Sequence, residues 1–166
     1  LWVLAEMVGD TELLSAIHGL PACLADAVQI DWSPVAGAVG AGSLYTLGRG
    51  PAWAISNEAA LKFKEVCQLH AESYSSAEVL HGPVSIVERG FPVLAFAAAD
   101  AAETALAEVS DALARKGAQV FATTDKVGAA HALPTVRTGH PLTDPLALIV
   151  SFYAMIEAVA VARGLD

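Results

Sequence analysis

Three ionisable side chains recur at helical spacing in a chain that is otherwise poor in charge. Glu58, Lys62 and Glu65 stand at positions i, i+4 and i+7, so neighbouring turns of one helix would present all three together. A carboxylate beside a lysine stays ionised and can act as a base. The simpler interpretation is a surface Glu58–Lys62 pair worth roughly a few tenths of a kcal/mol, and periodicity alone favours it.

A second group of ionisable residues follows this helix and shifts the balance towards proton chemistry. We expect Glu72, Tyr74, Glu78 and His81 to crowd a short loop. A histidine can exchange protons near neutral pH. The Gly-Pro turn that follows His81 would fix its ring at a loop tip.

A glycine-rich turn, Gly48-Arg49-Gly50-Pro51, precedes the helix. It is too short for a dinucleotide fingerprint, and it lacks the lysine and hydroxyl residue of a P-loop. We therefore interpret it as a tight strand-to-helix turn.

The elements that must position these residues are short apolar strands alternating with amphipathic helices. Predicted strands cover 43–47, 91–97, 118–123 and 133–136, and predicted helices cover 52–69, 101–116 and 143–163. Residues 70–90 are expected to be rich in loops, with a short strand and a short helix. The alternation predicts βαβ units and a parallel sheet, whose ligands bind beyond the carboxyl ends of its strands. In the helix 52–69, the buried stripe is expected to be Ala59, Phe63, Val66 and Cys67.

Composition limits the class of protein. The 166 residues are 55% hydrophobic and 16% charged, which is typical of one α/β domain with a sheet covered on both faces. A net charge of −9 with nine basic residues leaves no basic stripe for nucleic acid. Cys23 and Cys67 lack metal or CxxC spacing, which predicts free thiols in a reducing, cytoplasmic compartment and no metal site.

Both ends of the chain are expected to be helical. Residues 1–8 look like the last turns of a helix that Gly9 ends, and a second helix is predicted to about residue 28. The apolar stretch 146–162 is shorter than the roughly 20 residues of a membrane span. We expect it to be buried in a core or at a subunit interface.

Together these motifs resemble the SIS (sugar isomerase) domain family. The residues that carry the resemblance are Leu47-Gly48-Arg49-Gly50, Glu58-Ala59-Ala60-Leu61-Lys62-Phe63-Lys64-Glu65, His70-Ala71-Glu72 and Glu78-Val79-Leu80-His81-Gly82-Pro83. The combination is specific, although no single piece is, and it is most similar to the second SIS domain of glucosamine-6-phosphate synthases and to related phosphosugar isomerases and deaminases. The resemblance implies a three-layer α/β sandwich with a mainly five-stranded, flavodoxin-like parallel sheet over residues 43–166. Residues 1–42 would be a helical segment comprising the end of a preceding SIS domain and a linker.

The resemblance also implies roles for individual residues. In synthase-like members, the glutamate matching Glu65 moves a proton between C1 and C2 of an open-chain sugar, and the lysine matching Lys62 lies beside it. The histidine matching His81 helps to open the sugar ring and reaches the other subunit's active site across a dimer. Supporting or substrate-binding roles would fall to Glu58, Glu72, Gly48 and Arg49.

The activity that the resemblance implies is interconversion of ketose and aldose phosphates of the fructose 6-phosphate or glucosamine 6-phosphate class. It implies a homodimer, no cofactor, and neither nucleic acid nor membrane as a partner. In the family, the phosphate-binding loops belong to the first SIS domain, so this chain would be half an active site and inactive alone. The alternative is a non-catalytic phosphosugar sensor. A sensor needs no base, so Lys62, Glu65 and His81 favour the enzyme, while amination, deamination and plain isomerisation all stay open.

Overall fold

A single parallel sheet organises the protein, for which a computed structural model describes residues 1–40 and 42–165. Its strands are β1 (Ser43–Gly48), β2 (His70–Ser75), β3 (Pro92–Phe96), β4 (Gln119–Ala122) and β5 (His131–Ala132). They lie in the order β2-β1-β3-β4-β5, and every neighbouring pair is parallel. This is the flavodoxin-like order, so the predicted five-stranded α/β fold is confirmed.

Helices cover both faces of the sheet and make the outer two layers. They are α1 (Trp2–Val8), α2 (Thr11–Ala27), α3 (Ser33–Ala38), α4 (Trp53–Cys67), α5 (Glu103–Lys116) and α6 (Asp144–Ala162). One apolar core joins α3, α4 and α6 to the sheet, and a second joins α5 to the opposite face. Short 3₁₀ turns connect β2 to β3.

Aromatic packing fixes α4 and α6 against each other and the sheet. Phe152 of α6 meets Phe63 of α4 edge to face, with ring centroids 5.5 Å apart, and it meets Phe96 of β3 at 6.0 Å. All three rings are buried. The surfaces of α4 and α6 are therefore held in one register.

Helix α4 is positioned by special residues at both ends. A Cβ atom at Gly48 would come within 2.7 Å of the Ala52 carbonyl oxygen and Ser56 Oγ, so only glycine lets β1 approach the helix so closely. At the other end, Gln68 adopts the left-handed conformation, with φ of 54°, and ends the helix.

The buried stripe of α4 differs from the prediction at one position. Ala59, Phe63 and Cys67 are fully buried as expected, but Val66 is 38% exposed. Val66 lies at the border of the buried stripe of α4, which consists of Ser56, Ala59, Ala60, Phe63 and Cys67. The prediction for Val66 was wrong.

Two strand predictions also need correction. The predicted strand 133–136 is absent, and β5 lies at His131–Ala132 instead. The Leu133 amide makes one last bond to the Ala122 carbonyl, and Pro134 follows without a donor, so the ladder ends there. Glu72 and Tyr74, predicted in a loop, lie in β2.

Helix α6 is the one helix of the described chain that is long and apolar enough to cross a membrane, with mean hydropathy 2.0. Half of that stretch is buried within the fold, where Phe152, Met155 and Ile156 contribute to the core. Core helices of globular proteins pass the same test, and the prediction of a helix buried in a core is confirmed.

Candidate active site

Ionisable residues of α4 form a chain of contacts on its surface. Lys62 Nζ donates to Glu65 Oε2 at 2.6 Å and lies 3.7 Å from Glu58 Oε1. The hydrogen bond to Glu65 raises the pKa of Lys62 above its ordinary value, so the amine is charged at neutral pH. Half of the Glu65 side chain is exposed, and no described residue bonds its second oxygen. Glu65 is thus held by one oxygen and open at the other.

A tyrosine that the sequence analysis missed joins this group from α6. Tyr153 Oη donates to Glu58 Oε1 at 2.8 Å. We call Glu58, Lys62, Glu65 and Tyr153 the α4 cluster. Tyr153 lies 95 residues from Glu58 in sequence. The one signal in the sequence is that Tyr153 is among the few side chains with a polar group in this apolar helix, together with Ser151 and Glu157.

Glu72 lies apart from the α4 cluster. Ser73, the next residue of β2, has its Oγ 2.8 Å from Ser56 Oγ of α4, so Glu72 projects from the opposite face of the sheet. There its Oε2 accepts a hydrogen bond of 2.7 Å from Tyr74 Oη, which raises the pKa of Tyr74 to about 12. The sheet separates Glu72 from Glu65.

His81 is also apart from Glu65 within one chain. It ends the short 3₁₀ turn Val79–His81, its side chain is exposed, and its backbone N–H donates to the Glu78 carbonyl at 2.9 Å. No side-chain contact among the described residues joins it to the α4 cluster. An exposed histidine in this position is free to contact another polypeptide.

Arg49 lies at the other end of α4 from Glu65. It is exposed and lines a shallow cavity of about 450 Å³ with Trp53, Ser75 and Glu78, beyond the carboxyl ends of β1 and β2. Twelve residues of helix separate Trp53 from Glu65, which is roughly 18 Å at 1.5 Å per residue. Gly48 is buried in the turn described above. The structure therefore does not bring Gly48 or Arg49 to the α4 cluster.

A family model named SIS domain matches residues 39–162. This chain belongs to the SIS domain family. The match covers the whole sheet, α4 and α6, so the resemblance drawn from the sequence motifs is confirmed.

Relatives of this SIS domain are enzymes of sugar phosphates by name. Glutamine–fructose-6-phosphate aminotransferase (isomerizing) of Aeropyrum pernix is 36% identical over 132 residues, which is 76% of this chain and 21% of the relative. A crystal structure from Silicibacter pomeroyi DSS-3, assigned as a phosphosugar isomerase, is 65% identical with a TM-score of 0.93. The alignment covers 98% of this chain and 50% of that one.

The same fold occurs in a protein of much lower sequence identity. Glucosamine-6-phosphate deaminase of Thermotoga maritima superposes with a TM-score of 0.66 at 18% identity, over 99% of this chain and 49% of that chain. This SIS domain thus spans about a fifth of the aminotransferase and about half of the two structural relatives. It is a phosphosugar isomerase-type domain related to the first two, and it shares its fold with the deaminase.

A second charged group, which the sequence analysis did not foresee, lies at the carboxyl edge of the sheet in this SIS domain. Arg137 pairs with Glu103 at 2.5 Å and with Asp144 at 3.3 Å, and Lys126 pairs with Glu103 at 2.7 Å. We call these four residues the carboxyl-edge network. Its two carboxylates are almost fully buried.

The network is saturated with hydrogen bonds. Arg137 also donates to the Ala97 and Thr123 carbonyls, at 2.9 and 3.1 Å, which are the chain positions just after β3 and β4. Burial alone would raise the pKa of Glu103, but hydrogen bonds from Lys126 and Thr124 and the Arg137 charge lower it overall. The network joins the ends of these strands to the first turns of α5 and α6.

The described residues provide no candidate metal site, because no group of three or more His, Cys, Asp or Glu side chains converges among them. The chemistry that the arrangement offers is proton transfer by the open oxygen of Glu65.

Proposed function

We propose that this SIS domain interconverts ketose and aldose phosphates by moving a proton between C1 and C2, with Glu65 as the base. The observation that carries the proposal is the α4 cluster, in which a charged lysine holds one oxygen of a half-exposed glutamate and leaves the other open. The named activities of its relatives, an isomerizing aminotransferase and a phosphosugar isomerase, support the substrate class.

The proposed step needs little beyond this carboxylate. Glu65 takes the proton from C2 of an open-chain aldose, the C–H electron pair becomes the C1–C2 double bond of an enediol, and the C1 carbonyl π pair moves to its oxygen, which takes a proton from solvent. Glu65 then returns the proton to C1 as the double-bond pair forms the new C–H bond, and the C2 hydroxyl loses its proton to solvent as its O–H pair forms the ketose carbonyl. Lys62 orients the carboxylate through its hydrogen bond to Oε2. Glu58 supports Lys62.

We further propose that a second polypeptide unit covers the α4 cluster and completes the site. The cluster lies on an open surface, whereas enzymes exclude water from reacting carbanion-like centres. A homodimer partner would bring His81 to open the sugar ring, and a preceding SIS domain, with residues 1–42 as its end and linker, would supply the phosphate-binding loops. The substrate would be of the fructose 6-phosphate or glucosamine 6-phosphate class, handled in the cytoplasm without nucleic acid, membrane or cofactor. Glu72, Gly48 and Arg49 would support the fold around the site.

Deuterium exchange tests the proposal. The full gene product is incubated with fructose 6-phosphate or glucosamine 6-phosphate in D₂O, and exchange at C1 and C2 is followed by NMR. We expect exchange in the parent and a loss of about 10²- to 10⁴-fold in Glu65→Gln. Glu157→Gln is the matched control, because it removes a carboxylate from the exposed surface of α6 without touching the α4 cluster.

The same experiment separates the enzyme from the sensor. Sugar phosphate that binds without exchange in either protein would replace the proposal with a non-catalytic binding module. Equal exchange in the parent and Glu65→Gln would reject Glu65 as the base.

A further inference from the structure

We infer that Tyr153 is a positioning residue for the base, because its hydroxyl occupies Glu58 Oε1 and thereby leaves Lys62 to Glu65. The pairing of Lys62 is observed in the contacts themselves. Its effect on catalysis rests on the proposed function. Tyr153 does not contact Glu65, so it would act through Glu58 and Lys62.

The ion pairs of α4 are the reverse of what an isolated helix prefers. A glutamate four residues before a lysine is the favoured helical pair, which here is Glu58 with Lys62. In the structure Lys62 lies 3.7 Å from Glu58 but 2.6 Å from Glu65, which is three residues after it. Another contact must therefore weaken the attraction between Glu58 and Lys62.

Tyr153 supplies that effect at a single atom. The Glu58 oxygen nearest to Lys62 is Oε1, and this same oxygen accepts the 2.8 Å hydrogen bond from Tyr153. A carboxylate oxygen that already accepts a hydrogen bond attracts a second donor less strongly. Lys62 then makes its short contact with Glu65.

The position of Tyr153 is set by the core, and its hydroxyl stays protonated as a hydrogen-bond donor. Its neighbour Phe152 is fully buried against Phe63, the residue next to Lys62, so the register of α6 on α4 is set by the core. The hydrogen bond to Glu58 raises the pKa of Tyr153, so the phenol keeps its proton over the ordinary pH range.

Other charges around the α4 cluster do not explain the pairing. Lys64 follows on α4, and Glu157 lies one turn beyond Tyr153 on α6. Both are exposed, and neither forms an ion pair within 4 Å in the described part of the chain. Without the Tyr153 hydroxyl, Glu58 would compete for Lys62, and the base would lose its cation.

The test compares Tyr153→Phe, Glu58→Gln and the double variant with the parent, in the full gene product. In Tyr153→Phe we expect kcat for C1/C2 exchange to fall about three- to tenfold, the size of one net hydrogen bond, with KM unchanged. In the Glu58→Gln background, loss of the hydroxyl has no further effect, since the competitor is gone.

A second readout does not depend on activity. Crystal structures of the parent and of Tyr153→Phe measure the two Lys62 distances directly, and in the variant we expect Lys62 Nζ to lie closer to Glu58 than to Glu65. Glu157→Gln serves as the control that removes a nearby charge and leaves the hydrogen bond intact.

The outcomes separate the inference from the proposed function. A Lys62 side chain that still pairs with Glu65 in Tyr153→Phe overturns the inference, whatever happens to exchange. If Tyr153→Phe lowers kcat equally in the parent and in the Glu58→Gln background, the inference is also overturned. A Lys62 that has moved to Glu58 in a protein without exchange leaves the inference standing and rejects the proposed function.

Discussion

The α4 cluster and the carboxyl-edge network each join a cation to two carboxylates, yet they treat those charges differently. Lys62 meets carboxylates that are 32% and 50% exposed, whereas Arg137 meets carboxylates that are 7% and 1% exposed. The buried carboxylates have a partner at every oxygen. Glu65 has a partner at only one.

This contrast distinguishes charges that stabilise the fold from charges that are available for chemistry. A buried charge is tolerated only when every donor and acceptor is paired, and such a set resists any change of protonation. An exposed carboxylate held at one oxygen adds little stability and can exchange a proton with a ligand. Residue type alone does not distinguish the two groups.

The largest effect on stability is expected at the buried arginine. Arg137→Met leaves Glu103 and Asp144 buried without their shared cation, which costs about 3–5 kcal/mol of unfolding free energy. Urea denaturation measures the change as a lower midpoint. A change below about 1 kcal/mol would show that the two regions do not differ as described.

A neutral replacement within the carboxyl-edge network tests whether its buried hydrogen bonds stabilise the fold. Asp144→Asn keeps one oxygen acceptor but turns the other into an N–H donor that faces the Ala99 amide and Arg137. We expect a loss of about 1–3 kcal/mol, since buried groups are left unpaired. Thermal or urea unfolding checks this, with Asp125→Asn, an exposed aspartate nearby, as the reference.

Acid should weaken the network in a defined window. The pKa of Glu103 is lowered in the folded protein, so its contribution to stability is complete above its ordinary value near 4.5 and is lost as the pH falls below it. Unfolding free energies measured between pH 6 and 3 should therefore fall on acidification. Glu103→Gln should have a shallower slope over the same range, and parallel slopes would contradict the assignment.

The smallest stability effect is expected at the lysine of the α4 cluster. Lys62→Met should change the unfolding free energy by less than about 1 kcal/mol, because both of its partners are partly exposed. Deuterium exchange in the same variant should fall nonetheless, since Glu65 loses its cation. If Lys62→Met strongly destabilised the protein and left exchange normal, the α4 cluster would be a structural element and not a site of chemistry.

Sequence patterns predicted those parts of the fold whose signal is local. The strands β1, β3 and β4 are apolar runs buried on both faces, and the spacing of Glu58, Lys62 and Glu65 is a property of one helix. Tyr153 and Arg137 could not be found in this way. Tyr153 lies 95 residues from Glu58 and Arg137 lies 34 residues from Glu103, and only the folded sheet brings each pair together.

The short strand expected within residues 70–90 could not be placed at β2 from the sequence, for a different reason. Its sequence, His-Ala-Glu-Ser-Tyr-Ser, shows no apolar alternation, because it is the edge strand and is only half buried. The same polar sequence has a consequence for the protein as a solute. An edge strand presents a row of unpaired peptide groups that could recruit a strand from another molecule and seed a fibre. A charged Glu72 within β2 disfavours that growth, so the polar sequence that conceals the strand also protects this edge of the sheet.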